Sequence, residues 1–118
     1  MKTSTLMDTI ENRHKDRDYE VNIRFPEFTC LCPMTSQPDF AEIKISYVPG
    51  ETLVELKSLK FYLNGFRNRG IFHEEAVNLI RDDFVKAVRP KRVDVVGNFN
   101  VRGGIYTSVR ASYPDSAS

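Results

Sequence analysis

The segment AEIKISYVPG, residues 41–50, alternates between apolar and polar side chains until a Pro-Gly pair ends it. Because successive side chains of a β-strand point to opposite faces of a sheet, this alternation predicts a strand with one buried face and one polar face. The apolar positions are Ala41, Ile43, Ile45 and Tyr47. The opposite face is predicted to be hydrated, since it carries Glu42, Lys44 and Ser46.

Three other segments have strand periodicity. Residues 19–25 alternate in the same way before Pro26, and residues 93–99 and 105–111 give two further strands around Arg102-Gly103-Gly104. Between the second and third strands lie two stretches with helical spacing. In the first stretch, the apolar residues recur at i, i+3, i+4 and i+7, with Ser58 as a candidate N-cap. The second helix is predicted over residues 72–89.

The predicted fold is therefore α+β, with the order ββααββ. Two helices cover one face of a four-stranded antiparallel sheet, and both edges of the sheet stay open. Open edges favour pairing with another chain. We expect a homo-oligomer in which subunits join edge to edge into a barrel, with sites between subunits.

The composition predicts one domain whose surface carries no broad patch of positive charge. The chain has 118 residues with 17 basic and 16 acidic side chains, a net charge of +1, which argues against a protein that coats nucleic acid. No apolar run approaches the roughly 20 residues that span a bilayer, so we expect a cytoplasmic protein with reduced thiols. Residues 1–18 are expected to form a flexible arm, 19–113 a single catalytic domain, and 114–118 a frayed tail.

The segment FTCLCPMTSQPDF, residues 28–40, contains both cysteines. Cys32 precedes Pro33 in a predicted loop, and Asp39 follows after a turn, so the two residues can supply a nucleophile and a general acid. Cys30 is interpreted as a core residue. An inert Cys32 remains an alternative, as does a zinc site formed by both thiols and His73, although this spacing matches no standard zinc motif.

Basic residues near the first helix indicate an anion site. Lys57 and Lys60 lie three residues apart at its start, and Arg102 in a glycine-rich loop can add a third cation. His73 and Glu74 begin the second helix, where a carboxylate can accept two hydrogen bonds from a guanine-like N–H edge. The alternative interpretations are solvated surface lysines and compensation of the helix dipole by the glutamate.

Four segments carry a resemblance to a known family: FTCLCPMTSQPDFAEI, ELKSLKFY, FRNRGIFHEE and VRGGI. Together they resemble the NADPH-dependent 7-cyano-7-deazaguanine reductases, the nitrile reductases of queuosine biosynthesis, which have the tunnelling fold (T-fold). The resemblance extends over residues 19–113 and is to the short, single-domain form. It implies NADPH as cofactor, a small-molecule substrate, no metal, no direct nucleic-acid partner and no membrane association.

The resemblance also implies roles for individual residues. Cys32 would attack the nitrile carbon to form a thioimide, Asp39 would protonate the nitrile nitrogen, and His73 would assist proton transfer. Two hydrides from NADPH would complete the reduction. The expected binding residues are Glu74 and Glu55 for the substrate, and Lys57, Lys60 and Arg102 for the phosphates of NADPH.

Two other functions remain open on this evidence. Short archaeal relatives use the same cysteine to add ammonia to a nitrile on tRNA in archaeosine synthesis. A non-catalytic T-fold protein that binds purines or pterins is the second alternative. The lysine-bearing segment ELKSLKFY and the near-neutral charge favour the reductase over the enzyme that acts on tRNA.

Overall fold

A computed structural model describes residues 7–115 and confirms the predicted α+β fold. The elements in chain order are β1 (Thr9–Glu11), β2 (Val21–Leu31), β3 (Pro38–Val48), β4 (Thr52–Val54), α1 (Leu56–Asn64), α2 (His73–Val88), β5 (Arg92–Arg102) and β6 (Ile105–Tyr113). The main sheet has the strand order β2-β3-β5-β6, and every neighbouring pair in it is antiparallel. The predicted ββααββ order corresponds to β2, β3, α1, α2, β5 and β6.

The alternation along β3 produces the buried face that the sequence predicts. The apolar residues predicted for this face, from Ala41 to Tyr47, are at most 3% exposed. Helix α2 packs a fully buried apolar stripe against the sheet, formed by Ala76, Val77, Ile80, Phe84 and Val88. The Tyr47 and Phe84 rings meet edge to face with 4.9 Å between their centroids. At Gly97 an added Cβ would lie 2.6 Å from Val77 Cγ2, so the close approach of α2 to β5 depends on this glycine.

Strand β2 is longer than the sequence predicted. It does not end at Pro26 but continues to Leu31, because the chain absorbs the proline in a bulge between Phe25 and Phe28. Cys30 therefore lies within the sheet, directly opposite Asp39, and only the residues from Cys32 onwards form the connection to β3. Strands β2 and β6 form the two edges of this sheet.

A second, two-stranded sheet pairs β1 with β4 and was not predicted. Next to it, Asn12 is fully buried and its side chain makes three hydrogen bonds. The amide oxygen accepts from the Tyr19 hydroxyl at 2.7 Å and the His14 N–H at 2.9 Å, and the amide nitrogen donates to the Gly50 carbonyl at 2.8 Å. Part of the segment interpreted as a flexible arm thus contains a strand and a buried side chain, whereas residues 1–6 and 116–118 lie outside the described residues.

The face of the main sheet opposite the helices is polar, as the sequence predicts. Arg24 on β2 donates to Glu42 on β3 at 2.7 Å, and Ser108 on β6 donates to Asn98 on β5 at 2.8 Å. Neither helix of the described part of the chain is long and apolar enough to cross a membrane.

Candidate active site

Cys32 is held by the tight turn that joins β2 to β3. Its N–H donates to the Gln37 carbonyl and its carbonyl accepts the Ser36 N–H, both at 2.8 Å. Ser36 has a φ of 62°, the left-handed conformation that lets the chain reverse within so few residues. The turn therefore fixes the backbone of Cys32 on both sides while its side chain stays partly exposed.

The surroundings of Cys32 favour the thiolate. A hydrogen bond from the Thr35 hydroxyl, followed by hydrogen bonds from the backbone amides of Met34 and Thr35, lowers the pKa of the Cys32 thiol, although the charge of Asp39 opposes this shift. The thiolate is the nucleophilic form of cysteine. The turn thus raises the fraction of Cys32 that is present as thiolate at a given pH.

Cys30 has the opposite environment. It is fully buried on the helix-facing side of β2, with its sulfur 3.9 Å from the Ile71 carbonyl oxygen. Burial raises the pKa of the Cys30 thiol to about 11, and the nearby charge of Asp39 adds to this effect. Cys30 is therefore protonated at neutral pH, which confirms its interpretation as a core residue.

Asp39 lies near the start of β3 with its side chain only 8% exposed. His73, the first residue of α2, places Nε2 3.2 Å from Asp39 Oδ2. The imidazole ring stacks on Phe99 of β5, with 3.8 Å between centroids and an interplanar angle of 8°. Strand, helix and aromatic ring thus fix the geometry of a pair that can hold a proton and pass it into the cavity.

Arg102, at the end of β5, also contacts Asp39. Its Nη1 donates to the Pro38 carbonyl at 3.0 Å and lies 3.5 Å from Asp39 Oδ1. The sequence grouped Arg102 with Lys57 and Lys60 as phosphate ligands. Within one chain, the structure instead places this guanidinium beside the carboxylate of Asp39.

These side chains share one cavity of about 240 Å³. Five of the eight predicted site residues line it, namely Cys32, Asp39, His73, Glu74 and Arg102. The remaining wall consists of Pro33, Ile71 and Phe72. A nucleophile, a proton-carrying pair, a second carboxylate and a cation therefore face a single space.

The other three predicted residues lie at α1. Glu55 is the N-cap of this helix, so the prediction that Ser58 caps it is wrong. The Glu55 carboxylate accepts the Ser58 N–H at 2.8 Å and the Lys57 N–H at 3.0 Å, and these bonds lower the pKa of Glu55. Glu55 also lines a second, mainly apolar cavity of about 430 Å³, and Lys57 and Lys60 are exposed beside it on α1.

The sequence analysis missed two residues of this site. Thr35 was overlooked because the hydroxyl of a threonine in a turn most often hydrogen-bonds the backbone of that turn. Its only sequence signal is its position three residues after Cys32. Phe99 was predicted only as the end of a strand, and the strand pattern gives no sign of the stacked imidazole. For the zinc alternative, residues 7–115 contain no group of three or more His, Cys, Asp or Glu side chains arranged to hold a metal ion.

Comparisons with known proteins identify the family of the chain. Residues 38–118 match the family model of the QueF-like proteins. The NADPH-dependent 7-cyano-7-deazaguanine reductase of Syntrophus aciditrophicus is 53% identical over 112 residues, which cover 95% of this chain and 80% of that protein. The enzyme of the same name from Anaeromyxobacter sp. (strain Fw109-5) is 54% identical over 112 residues, covering 95% and 92%.

A solved structure matches the fold. The apo crystal structure of the archaeosine synthase QueF-Like superposes with a TM-score of 0.74, covering 85% of this chain and 96% of that one. The two sequences are 22% identical. The match shows a shared T-fold architecture.

Proposed function

The chain belongs to the QueF-like protein family, and we propose that it is an NADPH-dependent reductase that converts the nitrile of 7-cyano-7-deazaguanine to an aminomethyl group in queuosine biosynthesis. Relatives that are 53% and 54% identical carry that reductase name. The observation that carries the proposal is the single cavity in which Cys32, with its lowered thiol pKa, faces Asp39 and His73.

The first step uses the nitrile carbon as an electrophile. The Cys32 thiolate adds to this carbon, one π pair of the triple bond moves to nitrogen, and Asp39 supplies the proton that neutralises it. The product is a thioimide on Cys32, whose C=N bond is more readily reduced than the free nitrile. His73 then returns a proton to Asp39 through their 3.2 Å contact.

Reduction of a nitrile to an amine needs two hydrides, which two successive molecules of NADPH would supply, one each, when bound. When the carbon–sulfur bond breaks after the first reduction, the sulfur leaves as a thiolate, so a low thiol pKa assists departure as well as attack. Asp39 and His73 supply the remaining protons to nitrogen. Cys32 is partly exposed in the single chain, so the bound substrate and a neighbouring subunit are proposed to exclude the water that would otherwise hydrolyse the reactive imine.

Glu74 and Glu55 are proposed to bind the deazaguanine. Glu74 lines the Cys32 cavity and is exposed, so its carboxylate is free to accept hydrogen bonds from the aminopyrimidinone edge. Glu55 is already engaged by two backbone N–H groups of α1. We propose that Glu55, which lines the second cavity, helps to position the substrate.

The cation-bearing residues fit the phosphates of NADPH. Lys57 and Lys60 lie one helical turn apart and both side chains are exposed, which is the arrangement that a diphosphate requires. Arg102 is 45% exposed and can turn from Asp39 towards a phosphate. Neither lysine lines the Cys32 cavity of its own chain, so the α1 lysines are proposed to serve the Cys32 cavity of a neighbouring subunit.

This arrangement requires an oligomer. We propose that subunits pair through the edges β2 and β6, closing the sheet into a barrel with active sites at the interfaces. Exposed apolar side chains at the start of β6 support the pairing, since Ile105 is 67% and Tyr106 80% exposed. Buried in an interface, such side chains would contribute hydrophobic free energy that the isolated chain lacks.

The direct test is turnover with the free base. Purified protein, 7-cyano-7-deazaguanine and NADPH should give the aminomethyl product with two NADPH oxidised per molecule. Cys32→Ala should abolish turnover, and the matched Cys30→Ser variant should retain it because Cys30 is buried and protonated. Absence of NADPH oxidation, with ammonia addition to a nitrile on tRNA instead, would assign the chain to archaeosine synthesis.

A further inference from the structure

Ser58 does not cap α1, yet its side chain connects the start of this helix to the N-terminal strand. The hydroxyl accepts the Asp8 N–H at 2.8 Å and donates to the Glu55 carbonyl at 2.7 Å. We propose that Ser58 is a positioning residue that holds the Glu55 carboxylate at the second cavity in the orientation that binds substrate. The proposal rests on the proposed function, because it concerns the substrate role assigned there to Glu55.

Asp8, Glu55 and Ser58 form a closed set of three hydrogen bonds. Besides the two bonds of the Ser58 hydroxyl, the Glu55 N–H donates to the Asp8 carbonyl at 2.9 Å. Asp8 is therefore bound through its N–H to Ser58 and through its carbonyl to Glu55, although Asp8 and Ser58 lie 50 residues apart in sequence. This set fixes the backbone from which the Glu55 side chain extends, and two of its three bonds need the Ser58 hydroxyl.

The backbone of the same residue orients the carboxylate itself. The Ser58 N–H donates to one carboxylate oxygen of Glu55 at 2.8 Å, and the Lys57 N–H donates to the other at 3.0 Å. These bonds lower the pKa of Glu55, so the carboxylate is ionised at neutral pH and acts only as an acceptor. An ionised carboxylate offers about four lone-pair sites. The two backbone bonds thus aim Glu55 and leave capacity for the N–H groups of a ligand.

Strand β1 also builds part of the wall of the second cavity. Ile10 pairs with Leu53 in the two-stranded sheet, and both residues line the cavity together with Glu55. A sheet of two short strands has little stability of its own, so the place of β1 depends on bonds such as the one to Ser58. The N-terminal strand lies outside residues 19–113, the predicted catalytic domain, and in this proposal it belongs to the substrate site.

Three variants separate positioning from general stability. Ser58→Ala removes the hydroxyl but keeps the N–H that binds the Glu55 carboxylate, and alanine is well tolerated in a helix. Ser58→Thr retains the hydroxyl. Thr52→Val is the matched control, because Thr52 lies on β4 of the same small sheet and its hydroxyl donates to the Val88 carbonyl at 2.8 Å. A loss of stability alone would affect Ser58→Ala and Thr52→Val alike.

The experiment combines steady-state kinetics with amide hydrogen exchange. At saturating NADPH, Ser58→Ala should raise the KM for 7-cyano-7-deazaguanine about fivefold with little change in kcat, since the hydrogen bonds to a charged group are weakened rather than lost. Without substrate or NADPH, NMR should show faster exchange of the Asp8 N–H in Ser58→Ala, because this N–H loses its acceptor. Ser58→Thr and Thr52→Val should keep the KM and the Asp8 exchange rate of the unmodified protein.

An unchanged KM in Ser58→Ala would overturn the proposal. An equal rise in Thr52→Val would also overturn it, because the effect would then belong to loosening of the small sheet, and an equal rise in Ser58→Thr would show that the hydroxyl is not responsible. If the unmodified protein does not reduce the nitrile, the proposed function is wrong and hydrogen exchange decides this inference. Faster exchange in Ser58→Ala alone would keep Ser58 as the residue that positions Glu55, whereas unchanged exchange would refute that role.

Discussion

Replacing Asp39 by asparagine tests the proton-transfer role in the most specific way. Asparagine keeps the shape of a side chain that is only 8% exposed, but an amide cannot donate and regain the proton that the nitrile nitrogen needs. Loss of a general acid typically lowers a rate by about 100-fold to 10,000-fold. His73 remains in the same cavity and can deliver a proton less directly. We therefore expect kcat to fall by about 100-fold to 1,000-fold, the lower part of that range.

The assay follows NADPH oxidation under saturating substrate. Asp39→Asn is compared with Glu42→Gln, a carboxylate three residues along β3 that faces the opposite side of the sheet and pairs with Arg24. The double variant Asp39→Asn with His73→Ala should lose less rate than the product of the two single rate losses, because the two residues act as one unit. A kcat in Asp39→Asn within about twofold of the unmodified protein would refute the reasoning, because removal of a general acid costs far more than this.

Three further predictions concern packing, the buried thiol and the cofactor. Gly97→Ala should destabilise the protein by about 1–3 kcal/mol in denaturant unfolding at fixed protein concentration, because its Cβ would lie 2.6 Å from Val77 Cγ2, and an unchanged unfolding midpoint would contradict the packing of α2. The folded-state pKa of Cys30 is raised from 9.0 to about 11, so the folded protein holds this proton longer than the unfolded chain; stability is fully present below about pH 9 and falls by up to about 3 kcal/mol towards pH 11. Cys30→Ser should flatten that decline, and an equally steep one in the variant would refute the assignment. Lys60→Ala should raise the KM for NADPH about fivefold with little change in kcat, whereas Lys86→Ala on α2 should leave KM unaltered; equal KM values in both variants would remove Lys60 from the phosphate site.

The sequence predicted the main sheet well because its signal is periodic. The alternation in residues 41–47 repeats over several residue pairs, and the apolar stripe of α2 repeats over several helical turns. Several residues therefore indicate the same buried face in each element. Strands β1 and β4 have only three residues each, too few for alternation to be recognised. The extent of β2 beyond Pro26 depended on a bulge, which is a tertiary adjustment that local propensity does not encode.

The site was predicted unevenly for a similar reason. Cys32, Asp39, His73 and Glu74 were chosen by chemistry and by resemblance, and the pairing of β2 with β3 and the start of α2 bring them together. The contact of Arg102 with Asp39 arises from the pairing of β3 with β5, which joins positions 63 residues apart in sequence. The sequence can place Thr35 in the turn, but the direction of its hydroxyl depends on the backbone of Ser36 and Gln37.

The covalent step is the centre of the account, and intact-protein mass spectrometry tests it directly. Protein mixed with 7-cyano-7-deazaguanine in the absence of NADPH should gain the full mass of one substrate molecule, and peptide mapping should place that mass on Cys32. Cys32→Ala should show no gain, while Cys30→Ser should react like the unmodified protein. An unmodified mass at saturating substrate, or an adduct that maps to Cys30, would contradict the account.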